Sequence, residues 1–258
     1  IGDNTSKVTK YDNPNRTLTD PYEGQQLGEI WGYVVDGYFK TDEEARNYKV
    51  DQSFVNQMIN ASALDNGLHA GDLKFVDLDG NNKIEQTTSA NDRKDMKVIG
   101  NSLPRYNYNF GISADWYGID FSVLFQGIGK QNWYPGAETS MFWGPYSRPY
   151  ASFIPSDFMS QVWSEENTDA YFPRPRGYVA LGSNRELAVV NTKYLQNLAY
   201  CRLKNLSIGY TLPDKWLSKI GFEKIRVYFS GENLLTFTKL HSDYIDPEQA
   251  SASNSWKT

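Results

Sequence analysis

Asp77-Leu-Asp-Gly-Asn-Asn-Lys-Ile-Glu85 places oxygen donors at alternate positions of a short turn. Asp77, Asp79 and Asn81 fall at positions one, three and five of an EF-hand-like loop. Lys83 offers a backbone carbonyl at seven, and Glu85 sits at nine. Hard oxygen ligands at this spacing suit calcium. Two residues depart from the pattern. Position six is Asn82 instead of Gly, although Asn tolerates a left-handed backbone. Position twelve is Thr88, so a carboxylate from Asp92 closes the set only if residues 86–89 bulge outward. The expectation is a calcium loop spanning 77–92 whose role is to stiffen a surface segment; the plainer reading is an Asx-rich turn. No other cofactor is implied.

A second group lies between the strands described below: Trp133, Trp143, Tyr146 and Tyr150, with Arg148, Arg174 and Arg176. Flat rings stack on sugars or peptide side chains, and guanidinium groups hold carboxylates or hydroxyls. These residues are expected to face a solute or a partner lid. The alternative is that they pack the loop onto itself. Catalysis finds no support. Glu165-Glu166 and Asp157 are carboxylates of the type a glycosidase uses, but nothing fixes two of them across a site. No Gly-x-Ser-x-Gly elbow, His-Glu-x-x-His zinc motif or phosphate loop is present. The chain is read as a non-enzyme.

Composition bounds the rest. The formal charge of −5 over 258 residues argues against a nucleic-acid partner. A single cysteine, Cys201, excludes an internal disulfide. No run of 18 apolar residues offers a helical span. Aromatic residues make up 15%, with 18 Tyr and 7 Trp, which favours sheet over helical bundle.

The elements that would position these groups follow from periodicity. Tyr106, Tyr108, Phe110, Ile112, Ala114 and Trp116 alternate with polar or small residues, as do Ile119, Phe121, Val123 and Phe125 after Tyr117-Gly118. That is a hairpin over 105–126 with one apolar and one wet face. A second hairpin covers 198–238. Its apolar face carries Leu206, Ile208 and Tyr210, then Val227, Phe229, Leu235 and Phe237. Residues 1–104, 127–197 and 239–258 read mainly as loop. Short helices are expected from Thr41, whose capping partner Glu44 lies three residues on, through Phe54, Val55 and Met58, and from Ser156 to Trp163. Four strands of membrane-spanning length, short and long connections, and Trp116, Tyr117, Tyr210 and Trp216 at the short-turn end fit an outer-membrane barrel. A soluble β-sandwich with the same faces fits too. The pattern alone leaves the two open.

An ordered set of strings resembles the C-terminal part of SusC/RagA-type TonB-dependent outer-membrane transporters of Bacteroidetes. They are Gly28-Glu-Ile-Trp-Gly-Tyr-Val-Val-Asp-Gly-Tyr-Phe39, Gly71-Asp-Leu-Lys-Phe-Val-Asp-Leu-Asp-Gly80, Val98-Ile-Gly-Asn-Ser-Leu-Pro-Arg105 and Phe125-Gln-Gly-Ile-Gly129. Trp163-Ser-Glu-Glu-Asn-Thr-Asp-Ala170 with Pro173-Arg174 comes next. Leu203-Lys-Asn-Leu-Ser-Ile-Gly-Tyr-Thr-Leu-Pro213 and Ile225-Arg-Val-Tyr-Phe-Ser-Gly-Glu-Asn-Leu-Leu-Thr-Phe-Thr238 close the set. The resemblance implies an all-β fold: a segment of a large plugged transmembrane β-barrel with long extracellular loops containing short helices. Under it, 1–104, 127–197 and 239–258 are extracellular loops, while the plug and final strand lie outside the chain. It implies import of oligosaccharides or peptides across a Gram-negative outer membrane. The implied partners are a SusD-like surface lipoprotein, TonB acting through the absent plug, membrane lipid, and a second transporter–lid pair. The alternative function is a soluble or surface-tethered glycan-binding β-domain.

Overall fold

The structure is a computed structural model that describes residues 2–3, 5–56, 67–147, 154–175, 177–182, 184–219 and 221–250. The strands in chain order are β1 (Gly2–Asp3), β2 (Glu29–Tyr33), β3 (Val35–Tyr38), β4 (Leu73–Phe75), β5 (Met96–Asn101), β6 (Tyr106–Trp116) and β7 (Ile119–Ile128). β8 (Asn132–Trp133), β9 (Gln196–Asn197), β10 (Tyr200–Thr211) and β11 (Arg226–Thr238) follow. The helices are α1 (Asp42–Arg46), α2 (Ser140–Trp143) and α3 (Asp214–Leu217). Among the described residues no helix is long and apolar enough to cross a membrane. The chain forms two compact units, one of residues 1–4, 103–131 and 197–240, the other of 5–102, 132–196 and 241–258.

The first unit is an antiparallel sheet in the order β1-β6-β7-β10-β11. Tyr117 and Gly118, both with positive φ (46° and 84°), join β6 to β7. A two-residue turn with two positive φ angles matches the twist of a hairpin. The register lines up the apolar residues in rows across the strands: Trp116–Ile119–Tyr210–Val227, Ala114–Phe121–Ile208–Phe229 and Phe110–Phe125–Leu203–Leu235. The rings of Phe110 and Phe125 stack at 4.9 Å. Gly127 leaves room for Tyr108: a Cβ there would collide with the Tyr108 ring end, whose hydroxyl donates to the Tyr200 carbonyl at 2.8 Å.

The simple alternation breaks in β10, where the register shifts between Leu203 and Asn205 against both neighbours. On β11, Asn233 takes φ 53° at the same level. Extra residues at one height add local twist, as curved sheets require. They also explain how Leu203 and Leu206, three apart, serve the same face.

Much of the apolar face is exposed, although Val123 and Leu203 are buried. Ile112 is 60% exposed, Phe229 59%, Phe237 62% and Val227 65%. A soluble sandwich would bury this face against a second sheet. An apolar surface of this extent on one face of a sheet fits the outer wall of a membrane barrel.

The second unit is built from short pieces. β2 pairs with β5 and β3 with β4, all antiparallel. Most of the described residues of 1–104 lie outside these short strands and α1, so the segment is largely loop, with strand pairings the sequence did not show. α1 is capped as expected: Thr41 Oγ1 accepts from Glu44 N at 3.1 Å, and Glu44 Oε2 accepts from Lys40 N at 2.9 Å. It stops at Arg46, however, and does not continue through Phe54 and Val55, which lie in a turn; Met58 is outside the described residues. Five residues with no long apolar stripe cannot propagate a helix. The helix expected from Ser156 to Trp163 is one 3-10 turn, Phe158–Gln161. Phe39, Ala45 and Leu68, with Tyr48 against them, make a small core. A larger aromatic core surrounds Phe172 and is described below.

Candidate functional site

The sheet's second face is polar and smooth. Ser113, Ser122, Ser207 and Ser230 stand side by side, one from each long strand. Toward the short turns Asp115 lies opposite Asp120, a like-charge pairing that disfavours the sheet unless compensated. Arg226 supplies the compensation: its Nε donates to Asp120 Oδ1 at 2.8 Å and its Nη2 to Oδ2 at 2.5 Å. The pair bridges β7 and β11 over β10. It passes there because position 209 is glycine, whose added Cβ would sit 2.5 Å from Asp120 Oδ1 and 2.6 Å from Arg226 Nη2. This face thus presents a row of hydroxyls and a clamped ion pair.

In the second unit, the 77–85 segment curls as its Asx residues dictate. Asp77 accepts from the backbone N–H groups of Gly80 and Asn82, both at 2.7 Å. Asn82 has φ 62°, in the left-handed region that Asn tolerates at the place usually held by Gly. Asn81 Oδ1 accepts from Lys83 N, and its amide donates to Asp79 and Glu85. One carboxylate oxygen each from Asp77, Asp79 and Asp95 lie within 4.8 Å of one another. Asp95, not Asp92, is the third acid: Asp92 faces Lys94 Nζ at 3.5 Å, as Glu85 does at 3.8 Å. Asp95 is fully buried and accepts from Leu78 N at 2.8 Å and Glu85 N at 2.7 Å. Burial raises its carboxyl above the usual range against those two hydrogen bonds, and the charges of Asp79 and Asp77 raise it further. Desolvation also pushes Asp77 upward, but the N–H groups of Asn82, Gly80 and Asn81 outweigh it and leave it low. A divalent cation among the three would remove their mutual repulsion, so the donor set fits calcium.

The aromatic group is placed differently from expectation. Trp143 and Tyr146 are core residues, 0% and 1% exposed. The Trp143 indole donates to Gly136 O at 3.0 Å, and the Tyr146 hydroxyl donates to Pro173 O at 2.6 Å. Phe172 sits among them, stacked on Phe158 at 4.6 Å, on Tyr146 at 5.8 Å and on Tyr194 at 6.1 Å. These rings hold a long segment in shape and present no face to solute. Arg174 is also committed: its Nε lies 2.5 Å from Oδ1 of the fully buried Asp72. Gly71 beside it (φ 82°) admits the Trp163 ring, which a Cβ would strike. Trp133 is half-buried and stays available. Arg148, Tyr150 and Arg176 lie outside the described residues. His69 and His241 are surface-exposed, with His241 stacked on Tyr171 at 3.5 Å.

Sequence reasoning missed Asp95, Asp72 and the Asp120–Arg226 clamp. Each depends on a partner distant in sequence. The one readable hint was Gly209 inside the alternating run of β10.

Comparison with known proteins gives a consistent picture. The chain is 30% identical over 228 residues to TonB-dependent receptor P3 of Formosa agariphila, covering 88% of this chain and 19% of that receptor. It is 27% identical over 241 residues to TonB-dependent receptor P39 of the same organism, covering 84% and 22%. Among solved structures, it superposes on the RagAB peptide importer in the open-open state with a TM-score of 0.57 at 19% identity, covering 96% of this chain and 23% of that one. The RagAB peptide transporter gives 0.53 at 18%. No protein-family model matches. The chain spans about a fifth of the length of the relatives it matches.

Proposed function

We propose, from the premise that the chain is a segment of a SusC/RagA-type TonB-dependent outer-membrane transporter, that it forms part of the wall and outer loops of an importer for oligosaccharides or peptides. The observation that carries this reading is the single-layer sheet with one bare apolar face and one smooth polar face. The first meets lipid and the second lines the solute path. Solute would pass along the serine row and the Asp120–Arg226 clamp, which offer hydroxyls and fixed charge without a deep trap. No bond in the solute is made or broken; TonB would supply the gradient-driven work through the transporter's plug.

The loop unit would form the outer vestibule under a SusD-like lipoprotein lid, with Trp133 as the ring left free for solute or lid. Two such transporter–lid pairs would assemble in the outer membrane. Calcium at Asp77, Asp79 and Asp95, with Asn81, the Lys83 carbonyl and Glu85 nearby, would lock the 77–85 turn and have no part in chemistry.

Deleting the gene and testing growth on defined oligosaccharides and on peptides as sole nutrients tests the proposal. Loss of growth on one class, restored by the full-length gene, is expected. Unimpaired uptake of both classes would sink it.

A further inference from the structure

The apolar face does not end at the short turns. Its last row, Trp116–Ile119–Tyr210–Val227, runs into the 213–224 connection, which closes through Leu212 N to Ile225 O at 2.9 Å. The neighbouring hairpin tip is held against it by Thr211 N to Gly118 O at 2.7 Å. This connection is far longer than the two-residue Tyr117-Gly118 turn. Leu217 is buried (2% exposed), Gly221 turns the chain at φ 77°, and Phe222 N donates to Leu217 O at 3.2 Å. What it exposes is specific: Trp216 and Phe222, each 58% exposed, beside Trp116 at 69% and Tyr117 at 87%. Lys215, Lys219 and Lys224 are exposed as well, and among the described residues none of them has a carboxylate within ion-pair distance, although Asp214 and Glu223 are in the same segment. Three lysines less two acids leave +1 here, in a chain whose total is −5.

We propose that the 213–224 connection is a lipid anchor in which Lys215, Lys219 and Lys224 hold the phosphates of anionic phospholipid headgroups while Trp216 and Phe222 enter the same leaflet's interface. The leaflet is the one beside the short turns, the periplasmic side of a bacterial barrel. Rings with an apolar body and a polar edge belong at that depth, and lysine stems reach past them to the headgroups. Continuity with the lipid-facing sheet favours lipid over a soluble partner. The proposal rests on the barrel reading.

The test uses the full-length transporter in nanodiscs of phosphatidylethanolamine with one part in three phosphatidylglycerol, followed by native mass spectrometry of retained lipid. Each lysine contributes about fivefold to anionic-lipid binding, so replacing all three lowers it roughly 100-fold. The wild type is expected to retain phosphatidylglycerol in preference, the triple variant Lys215→Gln, Lys219→Gln, Lys224→Gln to lose that preference, and the corresponding triple Arg variant to keep it. Equal retention by wild type and the Gln variant overturns the proposal, as does loss in both variants or no preference in the wild type. Failure of the wild type to enter lipid at all would instead overturn the barrel reading.

Discussion

Ile112 and Ser113 are neighbours on β6 that point to opposite faces, and a lysine at each separates a membrane wall from a soluble sheet. Ile112 is 60% exposed and lies opposite Val123; Ser113 lies opposite Ser122 in the serine row. Trp116 marks the interface at the short-turn end. Ile112 is four residues above it; at about 3.4 Å per residue and a tilt near 40°, that is roughly 10 Å into an apolar band about 25 Å tall. This is close to the midplane, where a lysine costs about 2–4 kcal/mol. Ser113→Lys puts the same charge into the wet lumen and should stay within about 0.5 kcal/mol. The two variants should therefore differ by at least about 1.5 kcal/mol, roughly 12-fold in the folded-to-unfolded ratio. The assay is urea-titrated folding of the full-length transporter into phosphocholine vesicles, read by the heat-dependent gel shift of a closed barrel. In a soluble domain a site as exposed as Ile112 tolerates lysine, and both variants would fall within about 0.5 kcal/mol. Equal costs, or a larger cost at Ser113, would refute the assignment of faces.

Other consequences are as direct. Gly127→Val should cost about 1–3 kcal/mol by overpacking, because its side chain meets the Tyr200 carbonyl and the Tyr108 ring end; the same gel-shift titration reads it, and an unchanged midpoint would contradict the packing. Arg174→Ala removes the charged partner of the buried Asp72 carboxylate, which keeps the His69 N–H, and should cost about 3–5 kcal/mol, lowering the melting temperature of the full-length protein, whereas Arg174→Ala with Asp72→Asn recovers most of the loss; no recovery would mean the arginine works elsewhere. Calcium should raise the melting temperature of the wild type and not of Asp79→Asn. That gain should shrink as pH falls, since Asp95 has its carboxyl raised and protonates before an ordinary aspartate, giving up the charge the cation needs; a calcium response unchanged in Asp79→Asn would place the ion elsewhere.

The two hairpins were legible because period-two alternation survives wherever one face meets an apolar medium and the other water. The reading slipped where one residue was inserted: at Lys204 the alternation of β10 changes phase, and only the register against β7 shows that Leu203 stays on the apolar face. The second unit was less legible. Its strands are two to six residues long and pair with partners tens of residues away, as Leu73 does with Tyr38, so no local window contains the pattern. Trp143 and Tyr146 were misplaced for a related reason. A dense aromatic run looks the same in sequence whether its rings pack on Phe172 or face a solute; contact alone decides. The Asx spacing of 77–85 was readable because a turn's hydrogen bonds are local. Asp95 was not, because its place beside Asp77 and Asp79 is fixed by Leu78 and Glu85 backbone donors.

The most direct measurement is a denaturing blot of source-cell fractions with an antibody against residues 198–238, with samples heated or left unheated before electrophoresis. A band several times larger than 29.5 kDa, in the outer-membrane fraction and shifting on heating, is the result expected of a barrel wall. A soluble band near 29.5 kDa with no heat shift would contradict it.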